Sequence, residues 1–308
     1  MTPDVDIGIR VPHGIFGRGG EHVAAFVQEV EASTLDRIWT GDHVSFKGGK
    51  GYDGMLAAMA LTVLTRRVTV QTAVYLLPLR HPLTVARQVA SVAEAARGRF
   101  VFGIGVGGDD LLEVVNCGVD PATRGRRTDE ALGLVRRLLA GDVVDHHGDA
   151  FDLVAASIVP VPDPRVPVVV GGRSDAALRR AGRLGDGWLG LWVTPERFQS
   201  SVAAVAEAAA AAGRTDFLWQ HGLLAWCGFG PTRESARAPL AAAMETFYGM
   251  PFDRFERSSP YGTPDDVAAA LAPYVTAGAT SILLSPIGAT PDQALADVAH
   301  VRKLLHGR

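Results

Sequence analysis

The sequence predicts an α/β protein of the (β/α)8 TIM-barrel type, and two observations support this. Short runs rich in β-branched residues alternate with longer segments of helical period along the 308 residues. Eight such runs are present, which favours a closed parallel barrel over an open sheet. The predicted strands are Val5–Arg10, Arg37–Thr40, Val68–Tyr75, Arg99–Gly105, Val166–Gly171, Gly187–Leu191, Leu218–Phe229 and Ser281–Ser285.

Three helix starts share one pattern. Thr194, Thr263 and Thr290 are each followed by a proline and an acidic residue. A threonine side chain caps the free N–H groups, proline suits the first turn, and an acid opposes the helix dipole. Another helical segment begins near Gln199 and ends at Gly213, where glycine is typical of a C-terminal cap.

Residues 142–164 interrupt this alternation. The segment contains His146, His147, Phe151 and three prolines, without a helical period. We predict a small hairpin and an extended linker inserted between strands four and five. Because no Ser/Gly-rich tether or block of charge marks a boundary, we expect one barrel domain over residues 1–308.

The composition argues against several classes of protein. A net charge of −3 does not indicate a nucleic-acid or membrane partner. Cys117 and Cys227 show no metal-type spacing, so we expect reduced thiols and no metal site. No signal-peptide pattern or membrane-length apolar run is present, and we expect a cytoplasmic protein. Frequent Ala, Arg, Val and Gly are typical of a GC-rich bacterial genome.

The second predicted strand ends in a pair of titratable residues, Asp42 and His43. Active sites of parallel barrels lie at these strand ends. An imidazole titrates near neutrality and can transfer a proton, and an adjacent carboxylate can shift its pKa or fix its orientation. We predict both residues to be catalytic, although a loop histidine bonded to the backbone is the alternative. His13, after the first strand, could also reach the mouth.

The fourth strand ends in closely spaced glycines. Gly103, Gly105 and Gly108 formally match a dinucleotide-binding fingerprint. That motif normally follows the first strand of a different fold, so we favour another interpretation. We expect a flat ring to approach the backbone at a place where no side chain would fit.

The fifth strand leads into a candidate anion site. Gly171, Gly172, Arg173 and Ser174 lie immediately before a predicted helix. Exposed N–H groups and the helix dipole favour a phosphate there, and Arg173 could add charge-assisted contacts. Simple N-capping by Ser174 with a solvated Arg173 is the alternative.

Seven segments, in order along most of the chain, resemble the luciferase-like monooxygenase superfamily. They are Trp39–His43, Thr72–Pro82, Arg99–Gly107, Arg124–Glu130, Gly171–Ser174, Leu184–Trp188 and Gly262–Val267. The resemblance implies a TIM barrel with insertions that binds FMN or the 5-deazaflavin coenzyme F420 across its C-terminal mouth.

The resemblance also implies roles for individual residues. His43 would face the reactive ring as an acid or base, with Asp42 beside it. Val74 and Tyr75 fall where many members have a strand-three bulge with a non-prolyl cis peptide beneath the ring. The other implied cofactor residues are Gly105, Val106 and Gly107 along the ring or its side chain, and Gly171, Gly172, Arg173 and Ser174 at the phosphate.

One departure concerns the substrate. Some deazaflavin sugar-phosphate dehydrogenases carry a catalytic glutamate just past the glycine strand, whereas this chain has Asp109 and Asp110 there. The role is therefore vacant or taken by an aspartate, and we do not expect a sugar-phosphate substrate. Trp188 and Trp192 end the sixth strand and could wall the substrate pocket or pack in the core.

Three functions follow from the resemblance. The preferred one is an F420-dependent oxidoreductase that transfers hydride to or from a small organic substrate, because the Gly41–His43 and Leu77–Pro82 segments look like that branch. An FMN-dependent monooxygenase using O2 is the alternative, and a non-catalytic deazaflavin-binding paralogue is the third. Members of the family often form dimers, so we expect a homodimer.

Overall fold

A computed structural model describes the protein at residues 5–108, 110–215, 219–288 and 290–307. Among these residues the strands form two sheets, one parallel and one a small antiparallel pair. The strands are β1 (Asp6–Arg10), β2 (Arg37–Thr40), β3 (Thr69–Thr72), β4 (Tyr75–Leu76), β5 (Phe100–Gly105), β6 (Val144–His147), β7 (Asp152–Ala156), β8 (Val168–Gly171), β9 (Gly187–Leu191), β10 (Gly222–Phe229), β11 (Tyr261–Gly262) and β12 (Ser281–Ile287).

The parallel sheet closes on itself. Its order runs β1, β2, β3, β5, β8, β9, β10 and β12, and β12 pairs again with β1. Helices separate these strands along the chain. The predicted eight-stranded TIM barrel is confirmed.

The helices carry the predicted caps. Thr194, Thr263 and Thr290 each accept a hydrogen bond from the backbone N–H three residues further on. Gly213 follows the end of the helix Pro195–Ala211 with a φ of 70°, a left-handed conformation that glycine adopts readily. The helices are α1 (Gly20–Ala32), α2 (Phe46–Gly49), α3 (Gly54–Leu64), α4 (Pro82–Ala96), α5 (Leu111–Asn116), α6 (Arg124–Leu139), α7 (Asp175–Leu184), α8 (Pro195–Ala211), α9 (Arg233–Tyr248), α10 (Pro264–Thr276) and α11 (Pro291–His306).

Several strand boundaries differ from the prediction. The third strand is interrupted after Thr72 and resumes as β4, with a cis peptide bond between Ala73 and Val74 in the gap. The seventh begins at Gly222, and Leu218, where it was predicted to begin, lies outside the described residues. The eighth continues to Ile287 because it pairs with β10 along its whole length.

The segment between α6 and β8 contains the small antiparallel sheet β6–β7. His146 and His147 make separate contacts, His146 Nε2 lying 3.0 Å from a carboxylate oxygen of Glu130 and His147 bonding to Asp152. Residues 157–167 then run to β8 without helix or strand.

Ion pairs fix the N-terminal end of the barrel. The buried carboxylate of Asp186 lies within 3.5 Å of guanidinium nitrogens of Arg136, Arg165 and Arg214. It also accepts a hydrogen bond from the backbone N–H of Val168. In TIM barrels this end serves stability, whereas function lies at the other end. None of the helices within the described ranges has the length and apolar character needed to cross a membrane.

Gly103 has a packing reason inside the barrel wall. A Cβ atom built there would lie 2.0 Å from the carbonyl oxygen of Thr72. The Thr72 hydroxyl donates to the Gly103 carbonyl oxygen at 2.8 Å and accepts from the Gly103 N–H, with 2.9 Å between nitrogen and oxygen. The side chain of Thr72 thus bonds to both polar backbone groups of Gly103, and the absent side chain makes room for the neighbouring strand rather than for a ring.

We expect Gly103→Ala to destabilise the fold by about 1–3 kcal/mol, because its methyl group would overlap the backbone of β3. Gly133→Ala is the matched control, since Gly133 lies within α6 and a Cβ there meets nothing within 4 Å. Alanine in a helix interior is favoured over glycine by about 0.5–1 kcal/mol. Thermal unfolding followed by circular dichroism should therefore shift in opposite directions, and equal shifts would contradict the packing argument.

His221 is a structural histidine buried just before β10. Its Nδ1 lies 3.3 Å from the backbone nitrogen of Trp188 and accepts that N–H, so the ring is held neutral. The imidazole also stacks on Trp219 with an interplanar angle of 10°. Burial lowers the pKa of His221 to about 4.

The free energy of unfolding should decrease as the pH falls, because His221 is buried in its neutral form. Its folded pKa lies below the unfolded value of about 6.5, so the unfolded chain binds the extra proton. The contribution of His221 to the free energy of unfolding is fully present above a pH of about 6.5 and is lost as the pH falls toward 4. The total loss is about 3 kcal/mol. Urea unfolding should show a steeper loss between these values in the wild type than in His221→Asn. The exposed control His147→Asn should keep the wild-type slope.

Candidate active site

A cavity of about 780 Å3 opens at the C-terminal mouth of the barrel. Its lining comes from the ends of β1, β2, β10 and β12, the loop after β2, and helices α9 and α11. His43 and His13 both line it, as predicted from their positions at strand ends. Its aromatic walls include Phe16, Phe46, Tyr52, Trp226 and Phe247.

His43 is held by a buried carboxylate. Its Nδ1 lies 3.0 Å from Oε2 of Glu113, whose side chain is only 3% exposed. The ring also stacks on Phe46, with 4.2 Å between centroids. A carboxylate accepts and does not donate, so Nδ1 carries the proton. Among the described residues no group bonds to Nε2, which is the nitrogen left for a molecule in the cavity.

Glu113 was missed by the sequence reasoning. It lies in α5, three residues beyond Asp110, and its other oxygen accepts from the N–H groups of Val44 and Ser45. Asp110 instead caps α5 and accepts from the N–H of Lys47, while Asp109 lies outside the described residues. The sequence analysis left this role vacant or assigned it to an aspartate, whereas the structure places Glu113, one helical turn beyond Asp110, against His43.

Asp42 does not orient His43. Its carboxylate has no exposed surface and pairs with the guanidinium of Arg80 through contacts of 2.6 and 2.8 Å. The same two oxygens accept from the N–H groups of Gly54 and Leu76. Burial raises the pKa of Asp42, and Arg80 and the two N–H donors oppose that effect. The predicted orienting role belongs to Glu113, because Asp42 faces away from the imidazole into this clamp.

The strand-three bulge packs into two glycines. A Cβ on Gly105 would lie 2.5 Å from one methyl group of Val74, and a Cβ on Gly171 would lie 2.8 Å from the other. These glycines therefore make room for Val74, not only for a ligand. Val106 and Gly107 follow directly, with Gly107 at a φ of 69°. This sector of the mouth, after strands four and five, lies outside the lining of the 780 Å3 cavity.

The loop after β8 carries the residues predicted to bind an anion, and Ser174 also makes the N-cap that was the alternative. Gly172 has a φ of 133°, and Ser174 caps α7 by accepting from the N–H of Ala177. The exposed Arg173 lies over the ring of Trp192, 4.9 Å from its centroid. The indole Nε1 of Trp192 is buried and has no partner among the described groups. A donor left without a partner beside an arginine suits a ligand oxygen.

The side chains of two predicted site residues pack in the core rather than at the cavity. Trp188 is fully buried between β9 and α8, where it packs on Phe198 and donates to the Gly172 carbonyl oxygen. It therefore does not wall the pocket. Tyr75 is also fully buried, with its hydroxyl 3.2 Å from Gln88, so only its backbone could meet a cofactor. Both side chains point from the barrel toward the helices.

Comparison with known proteins assigns the family. Residues 11–304 match the luciferase-like monooxygenase family. The chain belongs to that family. An uncharacterized protein of Mycobacterium tuberculosis (strain ATCC 25618 / H37Rv) is 36% identical over 172 residues, which cover 55% of this chain and 59% of that protein.

A second relative has a named activity. The F420-dependent glucose-6-phosphate dehydrogenase of the same strain is 32% identical over 196 residues, covering 60% of this chain and 58% of that enzyme. The matches to both relatives thus span less than two thirds of the relatives' own lengths.

Solved structures share the fold over nearly the whole chain. An F420-dependent secondary alcohol dehydrogenase in complex with an F420-acetone adduct has a TM-score of 0.85 at 19% identity, covering 98% of this chain and 99% of that one. The coenzyme F420-dependent tetrahydromethanopterin reductase from Methanopyrus kandleri has a TM-score of 0.78 at 20% identity, with 96% and 97% covered. At these identities the likeness is one of fold.

Breaking the Asp42 clamp should destabilise the protein. Asp42→Asn removes the nearer of the two carboxylates that pair with Arg80, whose side chain is only 14% exposed; the other, Asp53, lies 3.3 Å away and is itself partly exposed. Loss of one partner from a buried pair costs about 3–5 kcal/mol. Asp253→Asn is the control, because its pair with Arg237 is 85% exposed on the aspartate side and should contribute about 0–1 kcal/mol. Equal melting temperatures for the two variants would contradict the structural role of Asp42.

Proposed function

We propose that this protein is an F420-dependent oxidoreductase that transfers hydride to or from a small organic substrate. The observation that carries the proposal is the His43–Glu113 pair, which presents one imidazole nitrogen to a large cavity at the barrel mouth. The F420-dependent glucose-6-phosphate dehydrogenases among its relatives, 29–33% identical over part of the chain, support the choice of coenzyme.

The residues of the mouth fit this coenzyme. Its phosphate would lie at the loop after β8, where Gly172, Arg173 and Ser174 precede a helix N-terminus. The unpartnered Nε1 of Trp192 offers a further donor beside that loop. The deazaflavin ring would lie toward Val74 and toward Gly105 and Gly171, the two glycines against which Val74 packs.

His43 and Glu113 would handle the proton. When bound, F420 supplies a carbon centre that exchanges two electrons as hydride. Nε2 of His43 would take the proton from a substrate hydroxyl as the carbon is oxidised, or return it in the reverse direction. Glu113 holds Nδ1–H, fixes the tautomer and stabilises the imidazolium that forms. Phe46, stacked on the ring, limits its rotation.

Binding of the purified protein to F420 and to FMN, each titrated by fluorescence, tests the cofactor. We expect F420 to bind more tightly than FMN by at least tenfold, with Arg173→Ala weakening it because a phosphate contact is lost. A preference for FMN would instead favour an oxygen-using monooxygenase. Binding of neither would contradict both the proposed cofactor and the anion site.

Variants of the pair test catalysis. His43→Gln and Glu113→Gln should keep F420 affinity within about twofold but lower turnover by about 100-fold or more, because positioned proton transfer contributes about 10²–10⁴. His147→Gln, on the exposed hairpin, is the control and should be unchanged. A rate that survives removal of His43 would point to a cofactor-binding paralogue or to another acid–base group.

A further inference from the structure

Arg10 ends β1 and projects into the mouth among aromatic rings. Its guanidinium carbon lies 5.5 Å from the ring centroid of Trp39, 5.4 Å from that of Trp226 and 5.9 Å from that of Phe247. The residue also lines the 780 Å3 cavity. A permanent positive charge therefore lies deep in the proposed substrate site.

The protein gives this charge little polar compensation. Its Nη1 lies 3.4 Å from the hydroxyl oxygen of Ser285, a long contact for one of five N–H donors. Among the described residues no carboxylate lies within ion-pairing distance of Arg10. Burial lowers its pKa, against a smaller opposing effect of Tyr248. Most guanidinium donors of Arg10 thus bond to no described residue and are available to a ligand in the cavity.

The rest of the lining adds positive charge and no free acid. Lys47 and Lys50 lie at the exposed rim, and Arg10 and Lys50 also lower the pKa of His13, after its partial burial. Asp42 is the carboxylate residue among the described lining residues, and its oxygens are taken up by Arg80. A molecule that enters the cavity therefore meets a field favourable to anions.

We propose that the cavity selects an organic acid, a carboxylate attached to an aromatic or other apolar body, and that Arg10 is the residue that recognises the carboxylate. Guanidinium donors lie in one plane and match the two oxygens of a carboxylate. The walls formed by Trp226, Phe247 and Phe46 suit a flat apolar body. This inference deepens the function proposed above and rests on it for the statement that the ligand is the substrate.

Calorimetric titration of the full chain without cofactor tests the site, with benzoate as the anionic probe and benzamide as its neutral counterpart. We expect benzoate to bind wild type at least tenfold more tightly than benzamide. Arg10→Met should weaken benzoate binding by at least tenfold and leave benzamide within about twofold. Arg10→Lys keeps the charge but not the planar guanidinium, so its benzoate affinity should lie between those of wild type and Arg10→Met. Arg18→Met, at an exposed position outside the lining, should match the wild type.

Each result decides the inference separately from the proposed function. Equal benzoate and benzamide affinities in wild type, or benzoate binding unchanged in a folded Arg10→Met or Arg10→Lys protein, would overturn it. If benzoate binding follows Arg10 but F420 does not bind, the anion site stands and the proposed function fails. If F420 binds and neutral alcohols are oxidised at the same rate in wild type and Arg10→Lys, the proposed function stands and the substrate class is wrong.

Discussion

The arrangement of the mouth depends on one buried ion pair, Asp42 with Arg80. A carboxylate without solvent exposure is costly unless charge and hydrogen bonds compensate it, and here four donors do so. Those donors come from the start of α3, from β4 and from the turn before α4. Because Asp42 directly precedes His43 in the chain, this clamp also fixes the backbone position from which the His43 side chain extends.

The two ends of the barrel treat charge differently. At the N-terminal end, Asp186 is surrounded by three arginines and a backbone N–H, and Asp36 is paired with Arg302. Such closed networks hold a scaffold. At the mouth, by contrast, Arg10 faces aromatic rings, and one nitrogen of His43 bonds to no described residue. Polar groups that the protein leaves unsatisfied there are available to what it binds.

The fold and part of the site could be predicted from sequence because their signals are local. Strand patterns, threonine caps and the position of His43 after β2 all lie within a few consecutive residues. Glu113 could not be predicted, since its contact with His43 joins positions 70 residues apart. Trp188 and Trp192 are four residues apart, yet only Trp188 lies in β9. Trp192 follows its end with a φ of 54°, so strand alternation does not place its side chain.

The interlocking of Val74 with Gly105 and Gly171 has a consequence for how this mouth can change over evolution. Any side chain added to either glycine would collide with a Val74 methyl group, while a smaller residue at position 74 would leave a void against both. Single substitutions at the three positions are therefore each penalised, although a matched set need not be. The three residues form one inherited unit, and a homologue that differs at one should differ at the others too.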